Sequence, residues 1–201
     1  MTQRMAIIPV VLAVGIALAG CSGAPEAEPT GIETSTPAPE PTETGGPVVL
    51  SFRLPADCTG LLPASRRQSF ESQGIELLGG PGGKYPDYYA DPTPEERAGG
   101  ISCVWGDEDD VQSTLTVSAA PLSIDTRGPI IDELIAQGLN EAVVDDGISY
   151  AQIGDENSAP AVLNIIRDDS WISVIQATGG EKYFDLAVEL AGEAAAQVYV
   201  P

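Results

Sequence analysis

From Ser22 to Pro47 the chain carries nothing that could form a core. This stretch has five glutamates, no basic residue, and proline at positions 25, 29, 37, 39, 41 and 47. With almost no apolar side chain to bury, it cannot offset the entropy of becoming ordered. Proline and like charge keep such a segment extended, with a limiting reach of about 80 Å at about 3.1 Å per residue. Residues 21–47 are therefore expected to be a disordered linker, and the fold must lie in residues 48–201. These 154 residues are the size of one domain, with room for a core of their own.

Upstream of the linker stand one early basic residue, Arg4, and an apolar run from Met5 to Leu18. A run of about fourteen suits the h-region of a signal peptide and falls short of the roughly 20 that span a bilayer. Small residues then precede a cysteine, and Leu18-Ala19-Gly20-Cys21 resembles the lipobox of bacterial lipoproteins. The resemblance implies that residues 1–20 are a lipoprotein signal peptide and that Cys21 takes a diacylglyceryl thioether and becomes the first residue. One acyl chain holds a protein only reversibly, and two hold it stably. The expected location is thus the outer, extracytoplasmic face of the cell membrane, with the linker spacing a folded head from the bilayer.

The head has 25 acidic residues against eight basic ones, a net charge of −17. Nucleic acid and anionic lipid headgroups would be repelled, which leaves cationic ligands, metal ions and basic protein surfaces as partners. Histidine is absent from the whole chain. That removes Ser-His-Asp and Cys-His catalysis, histidine-ligated zinc and imidazole pH switching together. The head also has two cysteines, Cys58 and Cys103, with no CxxC spacing. Outside the membrane such a pair points to a disulfide, here closing a loop of about 46 residues, and two cysteines alone cannot close a structural zinc site.

Periodicity gives the elements. Residues 48–52 read as a short opening strand, and residues 58–74 as a helix with Pro63 in its first turn and Gly74 after its last. A Gly-rich irregular stretch follows, in which Thr93-Pro94-Glu95-Glu96 caps one helical turn. "ISCVWG" and "VQSTLTVSA" predict a hairpin turning through Gly106–Asp110. Ile101, Cys103 and Trp105 share one face, as do Val111, Leu115, Val117 and Ala119, while Thr114, Thr116 and Ser118 are expected to see water. A helix starts at Pro129, buries Ile131, Leu134 and Ile135, and stops at Gly138. Strands follow over 148–153, 162–167 and 171–177. The chain ends in an amphipathic helix over 182–198 that buries Tyr183, Leu186, Ala187, Leu190, Ala194 and Val198.

"SQGIELL" before "ISCVWGDED" is echoed by "AQGLNEA" before "ISYAQIGDEN". The echo suggests two copies of one unit, the first carrying an insertion within residues 79–100. The lipobox, the acidic Pro/Thr linker, "DCTGLLP", Cys103-Val104-Trp105 and the C-terminal helix together resemble uncharacterised secreted lipoproteins of actinobacteria with a single disulfide. The resemblance implies an α+β fold, an antiparallel β-sheet flanked by helices similar to the PsbP/Mog1-like sandwiches, and it implies no chemistry.

Candidate sites are few. Tyr85, Tyr88 and Tyr89 stand in the Gly/Pro-rich stretch, where a rigid amphipathic side chain suits a binding loop. Asp107, Asp109 and Asp110 form the densest acid run, a calcium alternative to the plainer role of aspartate in tight turns, although none of the acid runs has the EF-hand pattern. No pair of carboxylates is singled out for glycoside hydrolysis, and Trp105 and Trp171 sit on strands, where rings pack cores. The expectation is a non-enzymatic accessory or scaffold module of the cell envelope, without cofactor or resident metal, that docks on an envelope protein. The alternatives are a small-ligand carrier or sensor and a histidine-free hydrolase. An apolar cavity above roughly 300 Å³ between sheet and helix would mark the carrier.

Overall fold

The computed structural model describes residues 49–145 and 147–201. The expectations for the signal peptide, Cys21 and the linker lie outside the described residues. Among the described residues nine strands and four α-helices follow one another: β1 (Ser51–Phe52), α1 (Ala64–Ser72), β2 (Glu76–Gly79), α2 (Pro94–Arg97), β3 (Ile101–Asp107), β4 (Asp110–Pro121), α3 (Ile124–Ala136), β5 (Asn140–Val144), β6 (Gly147–Gln152), β7 (Ala161–Ile166), β8 (Ser170–Gln176), α4 (Glu181–Val198) and β9 (Tyr199–Val200). Seven of the strands make one antiparallel sheet in the order β2-β3-β4-β8-β7-β6-β5. The fold is α+β, with helices on both faces of that sheet. β1 and β9 pair separately, Ser51 with Val200 and Phe52 with Tyr199.

Strand alternation gives the sheet two unlike faces. One, the disulfide face, carries Cys103, Trp105, Val117, Ile172 and Val174 into the main core under α1 and α4. Leu190, Ala191, Ala194 and Val198 of α4 are buried there, and small alanines let the helix lie close on β7 and β8. Arg66 of α1 clasps α4 through two 2.8 Å bonds to the Glu193 carboxylate. The Cys58–Cys103 disulfide, with Cα atoms 5.6 Å apart, ties the 3₁₀ turn Cys58–Gly60 to β3.

The other face is polar at its centre. Ser102, Ser118, Ser173, Asn164, Tyr150 and Glu141 stand opposite one another in register across six strands. All but Glu141 are buried. This serine face is covered by α2 over β3 and β4 and by α3, whose Leu134 joins Tyr150, Ile166 and Trp171 in a second, smaller core.

The two sequence echoes occupy matching places. Each follows a helix that ends at a left-handed glycine, Gly74 (φ 77°) or Gly138 (φ 80°), the conformation that glycine adopts without steric cost. β2-β3-β4 and β5-β6-β7 run inward from opposite edges and meet on either side of β8. Ile101 and Cys103 face the disulfide side while Ile148 and Tyr150 face the serine side. A two-fold axis along β8 produces that pattern, because it preserves strand direction and exchanges the faces. The first unit's extra residues, 80–100, lie between β2 and β3, where β5 and β6 have only a short turn.

Several local expectations change. Thr116 and Ser118 were expected to see water and are 8% and 2% exposed, because residues 80–100 fold over them. Pro129 lies inside α3 rather than at its start: Ser123 caps the helix, accepting from the Thr126 N–H while Thr126 Oγ1 accepts from the Ser123 N–H. The buried face runs through Ile130, Ile131 and Leu134, which share one side of the helix, and Ile135 falls off it and is exposed. On α4, Tyr183 and Leu186 are only partly buried, and Ala191 takes a core position. The hairpin strands reach Asp107 and Asp110, so the turn is just Glu108 and Asp109. Strands β2 and β5, at the sheet edges, were not foreseen.

Replacing Cys58 and Cys103 together by alanine is expected to cost about 4 kcal/mol, since the bond restrains a long loop of the unfolded chain. Urea unfolding of the oxidised protein and the double variant reads this as a drop in ΔG.

Candidate functional site

The 80–100 insert is the first place to look, and its three tyrosines are each fastened down. Cys58 N donates to Pro81 O at 3.0 Å, and Tyr85 N to Leu78 O at 2.7 Å. The Tyr85 hydroxyl and the Lys84 ammonium both donate to the Glu108 carboxylate on the β3–β4 turn. Their donation holds that carboxylate below its ordinary range. Tyr88 packs edge-on against Tyr89, ring centroids 5.3 Å apart. It also lies over Gly79, where an added Cβ would come within 2.5 Å of Tyr88 Cβ. The Tyr89 hydroxyl shares a 2.7 Å hydrogen bond with Thr116 Oγ1. A trough of about 310 Å³ remains beside Tyr88 and Tyr89, bounded by Pro86, Pro92 and Glu96.

Farther along the insert, Thr93 and Glu96 form the reciprocal cap of α2. Thr93 Oγ1 meets Ser102 Oγ at 2.6 Å, and Ser118 Oγ donates to Ser102 Oγ at 2.9 Å. Glu95, only 5% exposed, lies in one cleft with Ser173. Burial pushes its carboxyl up, the neighbouring Glu96 adds to this, and hydrogen bonds from its own N–H, Ser173 and Thr93 oppose it. It lines a cleft of about 80 Å³ with Asn164, Trp171 and Ser173 on the floor and Leu134 and Glu133 of α3 opposite. Trp171 Nε1 donates to Asn164 Oδ1 at 2.9 Å.

The acidic turn does not bring a ligand set together. Asp107 Oδ1 accepts from the Asp109 N–H and Asp110 Oδ1 from the Gln112 N–H, both at 3.0 Å. Each carboxylate thus caps the backbone two residues on. Among the described residues no group of three or more acidic or cysteine side chains could hold a metal ion.

A strongly apolar concavity lies elsewhere, and sequence reasoning did not find it. On the disulfide face, α4 covers β7 and β8 but stops short of β5 and β6. A groove of about 440 Å³ runs between helix and sheet, with Ala151, Leu163 and Ile165 on its floor, Phe184 and Val188 on its helical wall, and Ile153 at its end. Val188 and Ile153 are 50% and 41% exposed. Glu141 borders it, but its carboxylate is on the serine face, where it accepts from the Tyr150 hydroxyl. A signal was present: Phe184 and Val188 are four apart, one residue off the main buried stripe of α4, which gives that helix a second apolar shoulder. The larger hollow by Arg167, Asp168, Asp169 and Tyr199 is open and charged. There the Arg167 guanidinium sits 4.5 Å over the Tyr199 ring, and the Tyr199 hydroxyl donates to Asp169.

No protein-family model matches the chain. No curated protein and no solved structure matches it either.

Gly79→Ala is expected to unseat the Tyr88 ring and destabilise the head by about 1–3 kcal/mol, as overpacking does. Thermal unfolding followed by the near-ultraviolet tyrosine signal measures both effects.

Proposed function

We propose that the chain is a membrane-anchored extracytoplasmic lipoprotein, held through Cys21, whose head is a non-enzymatic carrier of a small apolar ligand. The groove between α4 and β5–β7 carries this reading. Its 440 Å³ falls within the ordinary range of small-molecule sites, which are mostly apolar with a few polar groups. Phe184 offers an aromatic wall, and Ser149 and Asn140 supply polar atoms on the floor and at the rim. The occupant this lining favours is an unbranched or flat hydrocarbon body with a neutral or cationic end. The strongly acidic head disfavours an anionic one.

The absence of histidine supports the non-enzymatic part of the reading. The tether supports the carrier role, since a head on a long linker can sample a wide shell above the membrane without leaving it. Among the described residues no helix is long and apolar enough to cross a membrane, and the proposed attachment is the lipid on Cys21.

Two measurements test the proposal. Titrating the head with a neutral naphthylamine fluorophore should give saturable binding. Val188→Glu should weaken it about tenfold or more by placing a charge on the apolar wall, with the melting temperature preserved because Val188 is half-exposed. Ile124→Glu, on a residue 92% exposed and away from the groove, should leave binding unchanged. Equal affinity in the Val188 variant, or no saturable binding, overturns the carrier reading. Separately, Cys21→Ala in the producing cell should move the protein from the membrane to the soluble fraction.

A further inference from the structure

The two faces of the sheet are covered by different physics. On the disulfide face, α1 and α4 sit on apolar side chains and a covalent bond. On the serine face, the second half of the insert is held mainly by polar groups, Tyr89 on Thr116 and Thr93 on Ser102, with Glu95 buried beside Ser173 and Ala98 packed on the second core. We propose that residues 90–99, with α2 at their centre, are a flap that lies shut over the sheet while Glu95 is protonated and lifts when Glu95 ionises. Lifting opens the floor of Trp171, Asn164 and Ser173 to the outside.

The geometry sets the hinges. The insert's first half is anchored beneath the disulfide, where Gly80 (φ 91°) leaves room for nothing more: an added Cβ would meet Ser102 O at 2.1 Å and Cys58 Sγ at 2.8 Å. At the far end Gly99 adopts φ 86°, a conformation that glycine enters and leaves without a side-chain penalty. Between these points α2 is a single turn, too short to be stable alone.

The electrostatics set the switch. The groups around Glu95 are Glu96 on its own turn, Glu133 across the cleft on α3, the Tyr89 phenol, and the Ser173 and Thr93 hydroxyls. Among the described residues no lysine or arginine lines the cleft. Arg97, the nearest base in sequence, donates instead to Pro92 O at 2.7 Å. A carboxylate formed here is buried with two further carboxylates nearby and no cation. It is relieved by reaching water.

The sign follows. With the shut-state value above the ordinary carboxylate value of 4.5, the shut form holds a proton that the open form releases. Closure is therefore at full strength below the ordinary value. It weakens through the window between the ordinary and the raised value, and above that window it stays weak. Within the window, opening releases up to one proton, so the open population grows by at most about tenfold per pH unit.

The test is amide hydrogen exchange of the head from pH 4.5 to 9, corrected for the intrinsic pH dependence of exchange. Arg97, Ala98, Gly99 and Gly100 report, since their N–H groups donate within the flap. Protection there should fall by up to about tenfold per pH unit over part of the range, while β8 amides stay flat. Glu95→Gln, neutral at every pH, should remove the slope and leave the flap better protected than wild type at pH 8. Glu133→Gln should retain the slope. A flat wild-type profile overturns the proposal, as does a slope that survives in Glu95→Gln.

Discussion

A seven-stranded sheet is about 29 Å across at about 4.8 Å per strand, and two packed helices cover about 20 Å of it. Each face of this sheet therefore has strands that its helices do not reach, and the molecule answers differently on its two sides. On the serine face, residues 80–100 supply the missing cover. On the disulfide face no described residue does, and the uncovered margin is the apolar groove beside α4. The groove and the insert have one cause in the width of the sheet. Because the two-fold arrangement exchanges faces, they fall at opposite edges of it.

The cover on the serine face comes at the cost of burying hydroxyls. A buried hydroxyl is tolerable only when hydrogen-bonded, and each such bond contributes about 1 kcal/mol net. The row from Ser102 to Tyr150 meets this condition by bonding to the insert, to neighbouring strands or to Glu141, whose Oε2 accepts from the Tyr150 hydroxyl at 3.0 Å. Apolar contact under α4 is worth more: burying a leucine such as Leu190 contributes about 1.5–3 kcal/mol. The head is therefore unequally held, firm under α1 and α4 and looser under α2.

Much of this was legible in the sequence because it is local. The α3 and α4 periodicities, the stops at Gly74 and Gly138, the Thr93–Glu96 cap and the β3–β4 hairpin all depend on residues within a few positions of one another. The disulfide was legible from compartment and count. What could not be read depends on register between distant strands. Thr116 and Ser118 alternate with valine and alanine as a water-facing row would, and only the fold of residues 80–100 buries them. β2 and β5 are short edge strands of four and five residues with no clear alternation, and pairing with β3 and β6 makes them strands. Glu95 sits beside a legible capping residue, yet its burial follows from Ser173, 78 positions later. The groove needed two facts that no window of sequence holds: that α4 lies over β7 and β8, and that among the described residues no other helix lies beside it.

The smallest sheet reaches furthest. Phe52 packs edge-on to Tyr199 at 5.9 Å, and Arg53 N donates to Val198 O at 2.7 Å, so β1 and β9 bring the first and last strands of the head to one corner. A domain whose ends already touch has a nearly closed backbone. Its residues could be joined there by a short peptide and opened afresh at the β3–β4 turn, giving a circular permutant with the same strand order. The direction in which the chain runs through the head is, in that sense, a matter of where it happens to be opened.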